Sequence, residues 1–168
     1  MKKNKFWKNK KVFVTGHTGF KGGWLCLVLK YLGAQVTGYS LKPLNKKNFF
    51  NEVKLRKYIH KSVIGDIRDK KKLTNEIKKS KATIIFHLAA QALVRESYRL
   101  PAETLETNII GTLNILDAIK TIKSIKASVI ITSDKVYDVK KNKVFKETDL
   151  LGGVDPYSAS KVCCEHVF

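Results

Sequence analysis

KVFVTGHTGFKGG, residues Lys11–Gly23, begins with Lys11 and three β-prone side chains, Val12, Phe13 and Val14, then passes through Thr15 into Gly16, Gly19 and Gly22. The apolar run WLCLVLKYLG follows from Trp24. The pattern predicts a strand, a tight loop and a helix start. A Cβ in such a loop blocks both the backbone path and the approach of a pyrophosphate to the helix N-terminus, whose unpaired N–H groups carry partial positive charge. Two readings follow: a dinucleotide cradle, or a glycine-rich turn that only packs a helix on a sheet. The strand before it, the helix after it and the βαβ-length unit around it are the context the first reading requires.

Outward from this loop the chain alternates strands and helices. Gly33 is a helix stop, and Ala34–Tyr39 reads as a second strand. An acid about 20 residues past such a loop usually takes the adenosine ribose hydroxyls; here Ser40, Leu41 and Lys42 stand in its place, so the sequence does not choose between NAD and NADP. Residues 43–58 show no period and predict an irregular excursion with a short turn at Phe49–Glu52. Ser62–Ile64 reads as a third strand, followed by Asp66, which either caps the helix predicted over Asp69–Lys79 or meets an adenine amino group. Ala82–His87, ATIIFH, suits a strand buried on both faces. His87 at its end reads as a core histidine.

Leu88, Ala89 and Ala90 then supply a small-residue strand end. A chain break over Ser97–Leu100 leads to Pro101, the predicted first turn of a helix to Lys120. Its apolar stripe is Leu105, Ile109, Leu113, Leu116 and Ile119, with Asn108 beside it as a solvated or locally bonded residue. A fifth strand, Ala127–Thr132, delivers Ser133, Asp134 and Lys135. Asp155-Pro156 opens the last helix, in which Tyr157 and Lys161, four apart, share a face. An ammonium one turn from a phenol of pKa about 10 favours the phenolate. The alternative is an exposed pair without function.

Composition narrows the classes. Of 168 residues, 43% are apolar and 28% charged, with 33 Lys and Arg against 14 Asp and Glu, a net charge of +19. The lysines are scattered in short runs rather than gathered in a stripe, which argues against nucleic acid and leaves a preference for anionic ligands. Cys26, Cys163 and Cys164 have neither metal-ligand nor disulfide spacing, and no metal is expected. Cys163 and Cys164 read as packing residues. No run reaches membrane-spanning length, and a cytoplasmic location is expected. The expected fold is α/β, a Rossmann-like, doubly wound, mostly parallel sheet with ligand at the C-terminal edge of its strands.

TGxxGxxG at Thr15–Gly22, LAAQ at Leu88–Gln91, TSDK at Thr132–Lys135 and YxxxK at Tyr157–Lys161 resemble the extended short-chain dehydrogenase/reductases that act on nucleotide sugars. TGHTGFKGGWL, GDIRD, FHLAAQALVRESY, TNIIGT, TSDKVYD and LGGVDPYSASK resemble, more narrowly, the CDP-glucose 4,6-dehydratase family over nearly the whole chain. The resemblance implies NAD as cofactor and CDP-glucose as substrate. It implies oxidation at C4, loss of water across C5 and C6, and reduction at C6, in deoxysugar and O-antigen biosynthesis. Another nucleotide-sugar epimerase or dehydratase and an inactive NAD-binding fragment are the alternatives.

The implied catalytic positions are Ser133, Asp134, Lys135, Tyr157 and Lys161. Tyr157 is the base at O4, with Lys161 holding the phenolate and Ser133 assisting. Asp134 is the acid at the departing C6 oxygen. Lys135 stands where dTDP-glucose dehydratases carry a glutamate base, and it acts as one only if burial or neighbouring cations favour its neutral form; otherwise it is a surface lysine. The implied cofactor-binding positions are Gly16, His17, Gly19, Phe20, Gly22, Ser40, Asp66, Ile67, Leu88, Ala89, Ala90 and Asn108, together with Tyr157 and Lys161. His17 is expected either to face the cofactor or to be an ordinary loop residue. Residues 1–168 are the expected NAD-binding domain, lacking the later strands and the C-terminal substrate domain, so poor turnover by this chain alone is expected. A homodimer through the 101–120 helix and the one beginning at Pro156 is implied by analogy.

Overall fold

A computed structural model describes residues 5–138 and 144–168. Five strands form one sheet in the order β3-β2-β1-β4-β5. They are β1 (Lys11–Thr15), β2 (Gln35–Ser40), β3 (Lys61–Ile64), β4 (Ile84–His87) and β5 (Ala127–Ile130). Every pairing is parallel, so every connection crosses over the sheet. β1 to β3 are laid down in one direction and β4 to β5 in the other, which places the topological switch between β1 and β4. At this point the helices diverge and leave a crevice beyond the strand ends.

The alternation of β1 decides which side chains enter which layer. Phe13 faces a core with Tyr39, Leu73, Ile77, Ile85, Ile115 and Ala118, under α3 (Lys70–Ser80) and α6 (Gly111–Thr121). Val12 and Val14 face the other core, with Cys26, Leu29, Val36 and Leu55, under α1 (Phe20–Tyr31) and the short α2 (Phe49–Glu52). Burying each such side chain contributes roughly 1.5–3 kcal/mol. β5 is an edge strand, as β3 is on the other side, and its Ala127, Ser128 and Val129 are exposed.

Local chemistry sets the ends. Gly33, at φ +95, follows the last turn of α1. Asp69 caps α3 by accepting from the Lys72 N–H at 2.9 Å. Asp155 and Ser158 form a reciprocal capping box on α7 (Pro156–Val167), with Pro156 in its first turn.

Five expectations change. The stretch before Pro101 is not a simple break: Val94–Arg99 forms a further helix, α4. The predicted 101–120 helix consists of α5 (Pro101–Leu105), a π turn over Glu106–Ile110, and α6. The face turned inward is Thr104, Asn108, Gly111, Thr112, Ile115 and Ala118, while Leu105, Ile110 and Leu113 are exposed, so the predicted stripe lies about one residue off. Asn108 is accordingly buried rather than solvated. Asp66 does not cap α3, because Asp69 does.

Candidate cofactor and active site

Strand ends converge on the switch point. Gly16, just past β1, has φ +78, a conformation that favours glycine, and donates its N–H to the Tyr39 carbonyl at 2.9 Å. A Cβ built there would lie 2.8 Å from the Ala89 nitrogen, so the loop and the end of β4 touch backbone to backbone. At Gly22 a Cβ would run into the Gly16 carbonyl, which fixes how closely α1 seats on the turn. Gly19 is the N-cap of α1 and offers no side chain, and no acid stands in the first turn. The helix end is left open to an anion, and the residues present fit a dinucleotide pyrophosphate.

The His17 imidazole turns away from this opening. It is fully buried, with Nε2 2.7 Å from Ser62 Oγ and the Phe50 ring edge-on at 5.4 Å, and its ring occupies the space a side chain at Gly38 would need. Burial lowers its pKa to about 4. The expectation that this side chain faces the cofactor is corrected: beneath the loop it is a packing group. Phe20 is 67% exposed, its ring against Phe49. Ser40 is buried at the end of β2 and its Oγ is 2.9 Å from Thr18 Oγ1, a tie between β2 and the loop. Asp66 is gripped by Arg68, with Nη2 to Oδ2 at 2.6 Å; the Arg68 hydrogen bonds hold its carboxyl below the usual range. Ile67 is a core side chain, and its carbonyl accepts from Asn114 at 2.9 Å.

On the other wall, Leu88, Ala89 and Ala90 are half-buried at the end of β4. Asn108, in the π turn, uses its whole amide. Oδ1 accepts from the Gln91 N–H at 2.8 Å, and Nδ2 donates to the Gln91 carbonyl at 3.1 Å and to Ser160 Oγ at 2.8 Å. Ser160 in turn donates to the Tyr157 carbonyl at 2.6 Å, so Asn108 holds the first turn of α7 against the segment that follows β4.

Lys161 is 6% exposed, and its Nζ donates to the Ile131 carbonyl at 2.9 Å; burial lowers its pKa. That bond ties α7 to the segment after β5. Tyr157 is half-buried in the opening turn of α7, one helical turn before Lys161. Ser133 caps a short 3-10 turn, accepting from the Lys135 N–H at 3.2 Å and donating to Asp134 Oδ1 at 3.2 Å. Asp134 and Lys135 are exposed, so the burial a lysine base needs is not supplied by these residues. The structure therefore gathers Gly16, Leu88–Ala90, Asn108, Ser133, Tyr157 and Lys161 around the strand ends.

Thr15, Gln91, Thr112 and Ser160, which support that arrangement, were not singled out by the sequence. All four lie inside recognised motifs, but nothing in a linear motif reveals which member bonds to which. Cys26, Cys163 and Cys164 are free, and no metal-ligating group occurs among the described residues. No helix among them is long and apolar enough to cross a membrane.

A parallel sheet with a glycine loop at its switch point and a Tyr–Lys pair on the helix after β5 defines a dinucleotide-binding protein of the Rossmann class. The family profile described as GDP-mannose 4,6 dehydratase matches residues 13–168, and the chain belongs to that family. It is 50% identical over 163 residues to CDP-glucose 4,6-dehydratase of Salmonella typhimurium, spanning 96% of this chain and 45% of the relative. It is 30% identical to dTDP-D-glucose 4,6-dehydratase of Dictyostelium discoideum, spanning 94% of this chain and 39% of that protein. UDP-glucose 4-epimerase from Brucella ovis, solved in complex with NAD, superimposes with a TM-score of 0.80 at 26% identity, covering 94% of this chain and 46% of that one. The chain spans about half the length of the curated relatives it matches.

Proposed function

We propose that residues 1–168 form the NAD-binding part of a CDP-glucose 4,6-dehydratase and carry its catalytic groups. The observation that supports this reading is buried Lys161 on the Ile131 carbonyl, a bond between the helix that bears Tyr157 and the segment that leads from β5 to Ser133. The 50% identity to the Salmonella typhimurium dehydratase supports the choice of sugar nucleotide. When bound, NAD supplies the hydride acceptor and later the hydride donor. Tyr157 takes the proton from the sugar O4, with Lys161 one helical turn further along the same helix. Ser133 donates a hydrogen bond to the same oxygen. Asp134 gives a proton to the departing C6 oxygen, and Lys135, exposed in this chain, takes the C5 proton only where the bound sugar nucleotide buries it and favours its neutral form. Product CDP-4-keto-6-deoxyglucose feeds surface-polysaccharide synthesis in the cytoplasm, and the chains pair through α5–α6 and α7.

Calorimetric titration of the chain with NAD, followed by incubation with CDP-glucose, tests this. Saturable NAD binding is expected, with only a trace of a 4-keto product absorbing in alkali from this chain alone, and that trace absent in Tyr157→Phe. Lack of NAD binding rejects the cofactor reading, and turnover unchanged in Tyr157→Phe rejects the catalytic one. A second reading, nucleotide-sugar epimerisation, is favoured by the Brucella ovis superposition and requires neither Asp134 nor Lys135.

A further inference from the structure

His87 is 2% exposed and bonded at both ring nitrogens. Its Nδ1 is 2.7 Å from Thr15 Oγ1, and its Nε2 is 3.2 Å from Thr112 Oγ1. The proton positions follow from counting. Thr15 Oγ1 already accepts the N–H of Leu88 at 3.1 Å and that of Ala89 at 3.0 Å, which fills both of its lone pairs. Its own proton therefore goes to His87 Nδ1. At the far side the Thr112 hydroxyl donates to the Asn108 carbonyl at 2.6 Å, so Thr112 Oγ1 accepts from His87 Nε2–H. One neutral tautomer, protonated at Nε2, satisfies every group. A proton on Nδ1 leaves the Thr15 hydroxyl hydrogen without an acceptor.

The chain of bonds joins two parts of the crevice. Thr15 immediately precedes Gly16, and the two N–H groups it binds belong to the strand end that Gly16 touches. Thr112 closes onto the carbonyl of Asn108, which holds Gln91 and the first turn of α7. We infer that His87 is a positioning residue: as an Nε2-protonated neutral imidazole it sets the spacing between the glycine-loop wall and the Asn108 wall of the cofactor crevice. It touches neither cofactor nor substrate. The inference rests on the NAD reading for its functional consequence, but the hydrogen-bond pattern stands without it. The ring must also stay uncharged for a second reason, since the Lys161 ammonium is near enough to oppose its protonation.

The test uses the 168-residue chain with 15N-labelled histidine. Long-range proton–nitrogen spectra are expected to show Nδ1 as an unprotonated, pyridine-type nitrogen and Nε2 as a pyrrole-type one, unchanged from pH 8 to pH 5; a protonated Nδ1 overturns the inference. His87→Asn keeps an acceptor near Nδ1, and His87→Phe keeps the shape without one. Below the unfolding midpoint of each, His87→Phe is expected to lose at least tenfold in NAD affinity and in amide-exchange protection at Leu88 and Ala89, while His87→Asn stays within about threefold. Equal behaviour of the two variants overturns the inference. If the wild-type chain binds no NAD, the proposed function fails, and the spectra and exchange data still decide the role of His87.

Discussion

Asn108 Nδ2 stands 2.8 Å from Ser160 Oγ, across 52 residues of sequence, and this bond joins the π turn to the helix that bears Tyr157 and Lys161. Replacing Asn108 with Leu strips partners from the Gln91 N–H, the Gln91 carbonyl and Ser160 together. A loss of about 2–4 kcal/mol in unfolding free energy is expected, because buried polar groups left alone cost about 1–3 kcal/mol each and some readmit water. Urea melts measure it. A loss below about 1 kcal/mol would show that the network contributes little to stability.

Gly16 and Gly33 both have positive φ, +78 and +95, yet they are expected to respond differently to alanine. At Gly33 the nearest atom to a new Cβ is Lys8 Cα at 3.4 Å, so the cost is about 1–2 kcal/mol of backbone strain. At Gly16 the methyl meets Ala89 backbone, so strain and clash combine and the crevice opens. Gly16→Ala should abolish NAD binding while Gly33→Ala leaves it within about twofold in parallel titrations at a temperature where both fold.

Acid should unfold the chain early. Both buried histidines have folded pKa values below the ordinary 6.5, His17 at about 4 and His87 at about 3, each lowered first by burial. The unfolded chain therefore takes up their protons first. Their contribution is fully present above about pH 6.5 and is lost as pH falls towards the folded values, at about 1.4 kcal/mol per pH unit for each ring. Urea midpoints at pH 7, 6 and 5 should fall progressively, and His87→Asn should flatten the slope. A midpoint constant over this range would contradict neutral burial.

On the proposed dehydratase function, Asp134 and Lys135 are the residues that separate dehydration from epimerisation. Asp134→Asn and Lys135→Met should each slow formation of the 4-keto-6-deoxy product by about 10²-fold or more, as general acid and base losses do. Both residues are exposed, so thermal midpoints should move little. Full sugar-nucleotide turnover in both variants would favour the epimerase reading.

Asp66 serves Arg68 in the structure, and its second role is open to measurement. Asp66→Asn weakens a partly exposed pair of modest worth, about 1 kcal/mol or less. If the carboxylate also meets the adenine amino group, NAD affinity should fall about tenfold while affinity for nicotinamide mononucleotide stays unchanged. Equal effects on the two ligands would remove Asp66 from the adenine site.

The sheet was legible because parallel strands buried on both faces write themselves as apolar runs, as in Val12–Val14 and Ile84–Phe86. Glycine spacing located the loop for the same steric reason that places Gly16 against Ala89. The Pro101–Thr121 segment was legible as helical but not in its facing. An apolar stripe reads as the inward face, yet here Thr104, Asn108 and Thr112 go inward because partners wait for them on β4 and α7, and Leu105 and Leu113 go out. The π turn leaves no periodic mark in five residues. His17 misled for a related reason: a loop position says nothing about whether its side chain points to ligand or to Ser62.

The contact between Thr15 and His87 also governs how the molecule comes together. The two residues are 72 positions apart, and in a sheet with only parallel neighbours no hairpin can bring them together early. Neither wall of the crevice holds its shape until that long loop has closed. A ligand that grips both walls therefore recognises the finished sheet and not its partly folded precursors, so by mass action it draws the chain toward the native state in proportion to the logarithm of its concentration.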